Sequence, residues 1–316
     1  MKDFCKLIRW PNIVFIGILL WTMEYWVAAP VLAKLHWGNP LPVWLFICLA
    51  VATMLIAAGG YIINDYFDIK IDRINRPDRL IITQSVSKER AMLYYKATTA
   101  AGVVAGIIAA IVSHSWTLAL IFLIVPGLLW FYSSSYKRQL IIGNIIIAFT
   151  AALTPMLIAF IHIGLLKARY GDIIAYTSLE HDLYLWLGGF AVFTFLTTWI
   201  REIVKDLQDQ IGDRELECHT LPIVIGNTWT CAIVTLLIVI VIALLCLTTF
   251  YLLPFPHTWS DISTRYLVFG LLIPLLGEIC LIWSAKIPSD YRSAQGLMKF
   301  IMFIGTLYSF VICRLL

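Results

Sequence analysis

The stretch LPVWLFICLAVATMLIAAGGYIINDYFDIKID (residues 41–72) decides the fold, because 24 uncharged residues lead directly into three aspartates. An α-helix rises about 1.5 Å per residue, so this run can cross the roughly 30 Å apolar core of a bilayer. The whole 316-residue chain has a similar character, with 61% hydrophobic residues, 13% charged residues and a mean hydropathy of +0.87. Soluble domains carry about 25% charged residues. The composition therefore predicts a polytopic membrane protein.

Apolar runs of this length recur along the chain and predict about nine transmembrane helices in an all-α fold. The expected bounds are 11–33, 41–64, 91–112, 115–132, 140–163, 183–204, 222–251, 264–285 and 296–316. Residues 1–316 are expected to form a single transmembrane domain. The basic segment 1–9 precedes an apolar run that is too long for a cleavable signal peptide.

The distribution of basic residues predicts the orientation of these helices. With a cytoplasmic N-terminus, 18 of the 23 Lys and Arg residues fall on one side of the membrane. The positive-inside rule then places the N-terminus in the cytoplasm of a cell (inner) membrane and the C-terminus outside. A positive cytoplasmic face explains the net charge of +4, so no nucleic-acid partner is indicated. The seven cysteines form no CxxC pair and predict neither a zinc site nor a disulfide framework.

The charged end of the opening stretch has a regular spacing. Asp65, Asp68 and Asp72 stand at i, i+3 and i+7, which places them on one face of an α-helix. Asn64 precedes Asp68 by four residues and joins that face. Carboxylates so close together repel one another unless a cation neutralises them. The spacing therefore favours a metal site at the end of the second helix.

A second acidic cluster lies in REIVKDLQDQIGDRELECHTLP (residues 201–222), at the cytoplasmic end of the sixth helix. Asp206, Asp209 and Asp213 repeat the spacing of three and then four residues. The chain thus resembles two related helical halves around a central cavity, each half contributing one acidic face. The alternative is a pair of solvated acidic helix ends, but two clusters of matched spacing on one side of the membrane favour a site.

Basic and hydroxyl side chains accompany both acidic clusters. Arg76 follows the first cluster, and Arg201 and Lys205 precede the second. The fourth helix ends in WFYSSSYKRQ (residues 130–139), which adds Tyr132 and Lys137 on the same side; an aromatic belt with a positive-inside lysine is the alternative. Carboxylates beside cations suit an anionic, metal-bound ligand. A diphosphate with Mg²⁺ fits, because Mg²⁺ keeps few carboxylates and binds phosphate oxygens and water.

An apolar membrane bundle beneath such a site suggests a diphosphate that carries a long apolar tail, as a prenyl diphosphate does. The elements NDYFDIKID with the following NRP, YSSSYK (residues 132–137) and DLQDQIGD resemble the signature motifs of the UbiA superfamily of intramembrane prenyltransferases. The resemblance extends to the nine-helix layout. It implies transfer of a prenyl group from its diphosphate to a membrane-associated acceptor.

The resemblance also implies roles for individual residues. It implies Mg²⁺ as cofactor, bound by Asn64, Asp65, Asp68, Asp72, Asp206, Asp209 and Asp213. The implied catalytic residues are Asp68, Asp206 and Lys137. The candidate substrate-binding residues are Arg76, Lys137, Arg201, Lys205, Asn12 and Tyr132. Asn12 enters because RWPN (residues 9–12) resembles the family's Arg-Pro-x-Asn start, with Trp10 inserted.

Within the superfamily, REIVKDLQDQIGD followed by HTLPIVIG, together with IGN (residues 142–144), is similar to geranylgeranylglycerol-phosphate geranylgeranyltransferases. These form ether lipids, and Arg201, Lys205 and Arg138 are candidates to bind the acceptor's phosphate. Prenylation of an aromatic acceptor, 4-hydroxybenzoate or a quinone precursor, is the alternative, although the fourth-helix motif lacks the proline usual in that branch. From another class, a membrane transporter stays open, although transporter sites usually lie near the bilayer midplane.

Two glutamates fall inside predicted helices, where a carboxylate is costly and often functional. Glu24 lies in the first helix and Glu278 in the eighth. Each would either line the acceptor cavity or form hydrogen bonds to a neighbouring helix. His162 is expected at the outer membrane interface, away from the predicted chemistry.

Overall fold

The computed structural model describes residues 2–75, 80–252, 258–259 and 261–316. In these ranges, nine helices are long and apolar enough to span a membrane. They are Trp10–Lys34, Val43–Phe67, Lys88–Val112, Trp116–Ser134, Ile142–Tyr170, Leu179–Glu215, Gly226–Tyr251, Ile262–Ser284 and Pro288–Leu315. We number them as the first to ninth spans. The predicted all-α, nine-span fold is confirmed.

Shorter elements connect or interrupt these spans. Short α-helices cover Lys2–Leu7, Ile69–Asn75 and Leu221–Val224, and 3₁₀ turns cover Tyr136–Arg138, Gly171–Tyr176 and Pro288–Asp290. Wider π-helical turns occur at Met23–Ala28, Thr248–Leu252 and Tyr266–Leu272. In the described part of the chain, the remaining regular structure is one β-bridge between Ile82 and Val86.

The sixth span differs most from its predicted bounds. It is one helix of 37 residues, Leu179–Glu215, and continues well beyond the expected end at residue 204. The hydropathy falls after that point, but Ile203, Val204 and Leu207 are fully buried and keep an apolar face in the core. A helix needs only one such stripe to remain packed. The second acidic cluster therefore lies within a continuous helix.

The chain divides into two compact units. The first comprises Met1–Tyr136 and Ala152–Ala191, and the second comprises Lys137–Ala151 and Val192–Leu316. One boundary falls in the turn Tyr136–Arg138, and the other two fall inside the fifth and sixth spans, so each of these two helices contributes residues to both units.

The first unit packs its second and third spans closely together. A Cβ atom at Gly102 would lie 3.0 Å from the carbonyl oxygen of Ala52, which explains why a glycine stands at this approach. Where the second span ends, Leu7 of the N-terminal helix packs in one buried cluster with Ile62 and Ile69. This cluster fixes the N-terminal segment against the end of the second span and thereby positions the first aspartate cluster.

The second unit has an apolar core of its own. Residues of the sixth, seventh, eighth and ninth spans meet in one buried cluster, with Ile200, Val234, Leu275 and Met298 among its members. Between membrane-spanning helices the alternative to this packing is contact with lipid, so close van der Waals contacts between the side chains stabilise it. This core anchors one face of the sixth span and leaves its acidic face for other contacts.

Candidate functional site

The first aspartate cluster lies where the second span ends. Asp68 is the residue after the last helical turn, and the short helix Ile69–Asn75 begins directly after it. The amide of Asp68 donates to the carbonyl of Asn64 over 2.9 Å, and the amide of Asp72 donates to Asp68 over 2.8 Å. The predicted helix is therefore interrupted at Asp68, but four-residue hydrogen bonds continue through the interruption and maintain the spacing.

Asn64 carries an unpartnered acceptor in this cluster. Its Nδ2 donates to Asp68 Oδ2 over 2.8 Å. The residue is 7% exposed, and its Oδ1 is buried without a hydrogen-bond partner. Buried polar atoms in folded proteins are nearly always paired. An amide oxygen beside a carboxylate is a ligand pair that Mg²⁺ accepts, so these two side chains fit that metal.

The N-terminal segment supports the same cluster. Arg9 Nη2 lies 2.7 Å from Asp65 Oδ1, and the guanidinium stands over the ring of Tyr61, 5.1 Å from its centroid. Asn12 donates to the Tyr61 hydroxyl over 3.2 Å. Burial lowers the pKa of Arg9, but the charge and hydrogen bond of Asp65, together with Tyr61 and Asp68, outweigh this and raise the pKa above its ordinary value. RWPN thus binds one turn of the second span.

Tyr61 was missed by the sequence analysis. It precedes Asp65 by four residues, so helical spacing places the two side chains on one face. That spacing is a signal that could have identified it.

The second aspartate cluster belongs to the second unit. Asn144 Nδ2, from the fifth span, donates to Asp206 Oδ2 over 2.8 Å. Asp213 is 8% exposed and accepts a 3.4 Å hydrogen bond from Thr220. Asp209 is half-buried on the same helix. IGN at residues 142–144 thus contributes a partner for Asp206, a role that sequence spacing did not predict.

Two candidate substrate-binding cations meet at a residue that the sequence analysis passed over. Arg201 Nη2 pairs with Glu202 Oε1, and Lys205 Nζ lies 3.7 Å from Glu202 Oε2. The Glu202 side chain is only 5% exposed. A buried carboxylate requires pairing, and these two cations provide it.

The fourth-span motif is divided between the units. Tyr132 is 7% exposed in the last turns of the fourth span, in the first unit. Lys137 is half-buried in the 3₁₀ turn Tyr136–Arg138 and belongs to the second unit. The carbonyl of Arg138 accepts from the amide of His219 over 2.8 Å. The predicted ligand Arg76 lies outside the described residues.

Neither aspartate cluster, as the structure describes it, provides a complete set of protein ligands for a metal ion. Among the described residues, no group of three or more His, Cys, Asp or Glu side chains is gathered so that it could hold a metal ion. Mg²⁺ does not require such a group, because it typically binds one or two carboxylates and completes its octahedron with water and phosphate oxygens. The oxygen donors present fit a metal that is bound together with a phosphorylated substrate.

The two membrane glutamates have different surroundings. Glu24 lies in the π-helical turn of the first span; Asn39 donates to its Oε1 over 2.8 Å, and His162 Nε2 lies 2.7 Å from its Oε2. His162 is fully buried within the protein, and its depth in the membrane stays a prediction. Glu278 is also fully buried, but neither of its carboxylate oxygens has a hydrogen-bond partner.

Comparison with known sequences identifies one family. A profile described as the UbiA prenyltransferase family matches residues 14–307. A digeranylgeranylglyceryl phosphate synthase of Sulfolobus acidocaldarius is 29% identical over 99% of this chain and 98% of its own length. Enzymes of the same name from Sulfurisphaera tokodaii and Methanosphaera stadtmanae are 30% and 29% identical, over 76% and 84% of this chain and 77% and 84% of their own lengths.

Solved structures agree in fold. A structure from work on digeranylgeranylglyceryl phosphate synthase in membranes superposes with a TM-score of 0.64 at 21% identity, covering 100% of this chain and 99% of its own. A UbiA homologue from Archaeoglobus fulgidus bound to GPP and Mg²⁺ gives a TM-score of 0.59 at 15% identity, covering 99% of both chains. A match to a prenyltransferase family favours an enzyme over the transporter alternative.

Proposed function

We propose that this chain, which belongs to the UbiA prenyltransferase family, transfers a geranylgeranyl group from its diphosphate to geranylgeranylglyceryl phosphate. The relatives named digeranylgeranylglyceryl phosphate synthase support this acceptor, because they match the chain over most of their length. In the reaction, the acceptor hydroxyl oxygen forms an ether bond to C1 of the prenyl group. The bond from C1 to the diphosphate oxygen breaks, the diphosphate leaves, and the hydroxyl proton is released.

The observation that carries this proposal is the buried, unpartnered Oδ1 of Asn64 beside Asp68. It supports a cation at the first cluster, and Asp65 and Asp72 complete the proposed ligand set there. Mg²⁺ bound at such a site stabilises the negative charge that develops on a leaving diphosphate. The A. fulgidus homologue bound to GPP and Mg²⁺ supports the same pairing of metal and substrate.

Other residues of the chain would bind metal at the second cluster and the phosphate oxygens of the substrates. At the second cluster, Asp206, Asp209 and Asp213 would hold metal, and Asn144 fixes the orientation of the Asp206 carboxylate. Phosphate oxygens would be bound by cationic and hydroxyl side chains, because Arg and Lys donate charge-assisted hydrogen bonds. The proposed set is Arg76, Lys137, Arg201, Lys205 and Tyr132. Asn12 would act from a distance, through its bond to Tyr61.

The orientation in the membrane is part of the proposal. The excess of Lys and Arg on one side supports an N-terminus and both acidic clusters in the cytoplasm, with the C-terminus outside. In that orientation both clusters would meet soluble Mg²⁺ at the surface of a cell membrane. We further propose that residues 1–316 act together as one prenyltransferase domain.

A transfer assay on purified protein in liposomes tests the proposal. Labelled geranylgeranyl diphosphate is supplied with geranylgeranylglyceryl phosphate and 4-hydroxybenzoate as competing acceptors, with Mg²⁺ or with a chelator. We expect Mg²⁺-dependent product on the glyceryl phosphate. Product on the aromatic acid alone would overturn the acceptor but retain the prenyltransferase. Equal product in the presence of chelator would overturn the role of the metal.

A further inference from the structure

The sixth span has two opposite faces near the second aspartate cluster. Ile200, Ile203, Val204 and Leu207 lie on the face that packs into the core of the second unit. At 100° per residue, Glu202 projects from the other side of the helix, in line with Asp206 and the aspartates that follow. The acidic face therefore extends one turn further into the span than the aspartate motif itself.

Glu202 is buried on this polar face even though it does not point into the apolar core. Its two carboxylate oxygens contact different cations, Oε1 pairing with Arg201 and Oε2 lying 3.7 Å from Lys205. The two cationic side chains are 23% and 24% exposed, so both retain access from outside while the carboxylate between them does not. The formal charges of +1, −1 and +1 leave the trio with a net charge of +1.

One turn deeper in the sixth span, the hydroxyl of Thr198 has no hydrogen-bond partner. Thr198 precedes Glu202 by four residues on the same face and is 3% exposed. Its Oγ1 is buried without a hydrogen-bond partner. A hydroxyl in this position can donate to an oxyanion, which is also the ligand that guanidinium and ammonium groups bind.

We propose that Glu202 is a positioning residue that holds Arg201 and Lys205 at a fixed separation, so that the two cations bind the phosphate oxygens of a substrate together. The inference rests on the proposed function, because the ligand is either the prenyl diphosphate or the phosphate of the acceptor. Arg and Lys lose side-chain freedom when they bind an anion. A buried carboxylate between them removes part of that freedom before the substrate arrives.

Glu202→Gln separates this role from a simple effect of charge. If Glu202 only reduced the positive charge near the phosphate, the substitution would strengthen anion binding and lower the KM of the phosphorylated substrate. If Glu202 positions the cations, the KM rises, because glutamine offers one uncharged acceptor oxygen where Arg201 and Lys205 contact two charged ones. The two explanations predict opposite signs, and glutamine has nearly the same volume as glutamate.

The experiment measures kcat and KM separately for geranylgeranyl diphosphate and geranylgeranylglyceryl phosphate. For Glu202→Gln we expect the KM of one substrate to rise about tenfold, the usual size of a lost charge-assisted interaction, with kcat changed less. Which KM rises identifies the phosphate. The conservative variant Glu202→Asp should restore part of the affinity. An unchanged or lower KM for both substrates would overturn the inference.

Two controls separate the inference from a structural defect. Glu180→Gln removes another ion pair, between Lys167 Nζ and Glu180 Oε1 at 2.8 Å in the first unit, and should leave both KM values unchanged. In a double-mutant cycle with Lys205→Ala, the effect of Glu202→Gln should shrink, because residues that act as one unit are not additive. Additive effects in that cycle would contradict the positioning role.

A binding measurement separates this inference from failure of the proposed function. Retention of labelled geranylgeranyl diphosphate and of labelled geranylgeranylglyceryl phosphate is measured separately with Mg²⁺ present, each without the other substrate, so that the proposed transfer cannot occur. If the wild-type protein binds one of them and Glu202→Gln weakens that binding, the positioning role stands even if no transfer is found. If transfer is confirmed but neither affinity changes, the proposed function stands and this inference fails.

Discussion

The two aspartate clusters have the same spacing but are supported in opposite ways. In the first, the Asn64 amide donates to Asp68, only four residues away, and Arg9 pairs with Asp65 across 56 residues of sequence. In the second, Asn144 donates to Asp206 across 62 residues of sequence. The arginine there, Arg201, pairs with its sequence neighbour Glu202 and not with an aspartate of the cluster. Equal spacing therefore does not imply equal dependence on the rest of the fold.

This difference determines what each cluster requires. The first depends on the N-terminal segment, which the apolar contacts of Leu7 hold against the second span. The second depends on the start of the fifth span, which supplies Asn144. A substitution in the N-terminal segment should therefore affect the first cluster and spare the second, and a substitution at Asn144 should do the reverse. Kinetic measurements on such variants test this difference.

The largest effect is expected from removing one aspartate of either cluster. Asp68→Ala and Asp206→Ala should each lower turnover by about a hundredfold or more, because a proposed ligand for the metal that stabilises the leaving group is lost. Product formation from labelled geranylgeranyl diphosphate measures the loss, and thermal unfolding checks that the fold persists. Near-normal turnover in either variant would break the comparison, since that cluster would then not belong to the reaction.

Substitution of the two asparagines sharpens the comparison. Asn64→Ala removes a proposed metal ligand, whereas Asn144→Ala removes only the group that orients Asp206, a change that typically costs about 10–100-fold in metal affinity or activity. The Mg²⁺ concentration for half-maximal activity should therefore rise in both variants, and more in Asn64→Ala. Asn227→Ala, at an exposed residue of the seventh span, is the control. A larger rise in Asn144→Ala would contradict the assignment of Asn64 as a ligand.

Arg9 tests whether the distant arginine matters to the first cluster. Arg9→Ala removes both the 2.7 Å contact with Asp65 and the stacking on Tyr61. Activity should fall about tenfold, comparable with the loss of one charged hydrogen bond. Arg9→Lys should recover only part of it, because lysine lacks the planar fork of the guanidinium. Steady-state kinetics measure both, and full activity in Arg9→Ala would show that Asp65 needs no distant support.

The smallest effect on activity is expected outside both clusters. Glu24→Gln should lower stability by about 1–2 kcal/mol while leaving turnover unchanged, because glutamine offers one acceptor where Asn39 and His162 contact two. The same substitution at Glu278 should be neutral or stabilising, since that carboxylate has no hydrogen-bond partner to lose. Thermal unfolding of the two variants measures the difference. Equal destabilisation would show that the partners of Glu24 contribute little.

Much of the local organisation could be predicted. Spacing alone grouped Asn64 with Asp68, and their hydrogen bond confirms that they lie together. The extent of the sixth span could not be predicted from hydropathy, because its last turns are held by a narrow stripe that includes Leu207. Glu202 was missed for a related reason. A carboxylate flanked by basic residues is typical of a solvated helix end, and only its burial distinguishes it.

The sequence by itself determined the class of fold, the nine spans and the membership of a prenyltransferase family. It could do so because a bilayer requires roughly 20 apolar residues per helix with every backbone group bonded within the segment, and because the aspartate motifs are local patterns. Only the tertiary structure decided which distant side chains meet, such as Arg9 with Asp65, Asn144 with Asp206, and His162 with Glu24 across 138 residues. No local pattern encodes these pairs, since they depend on how the helices pack within each unit.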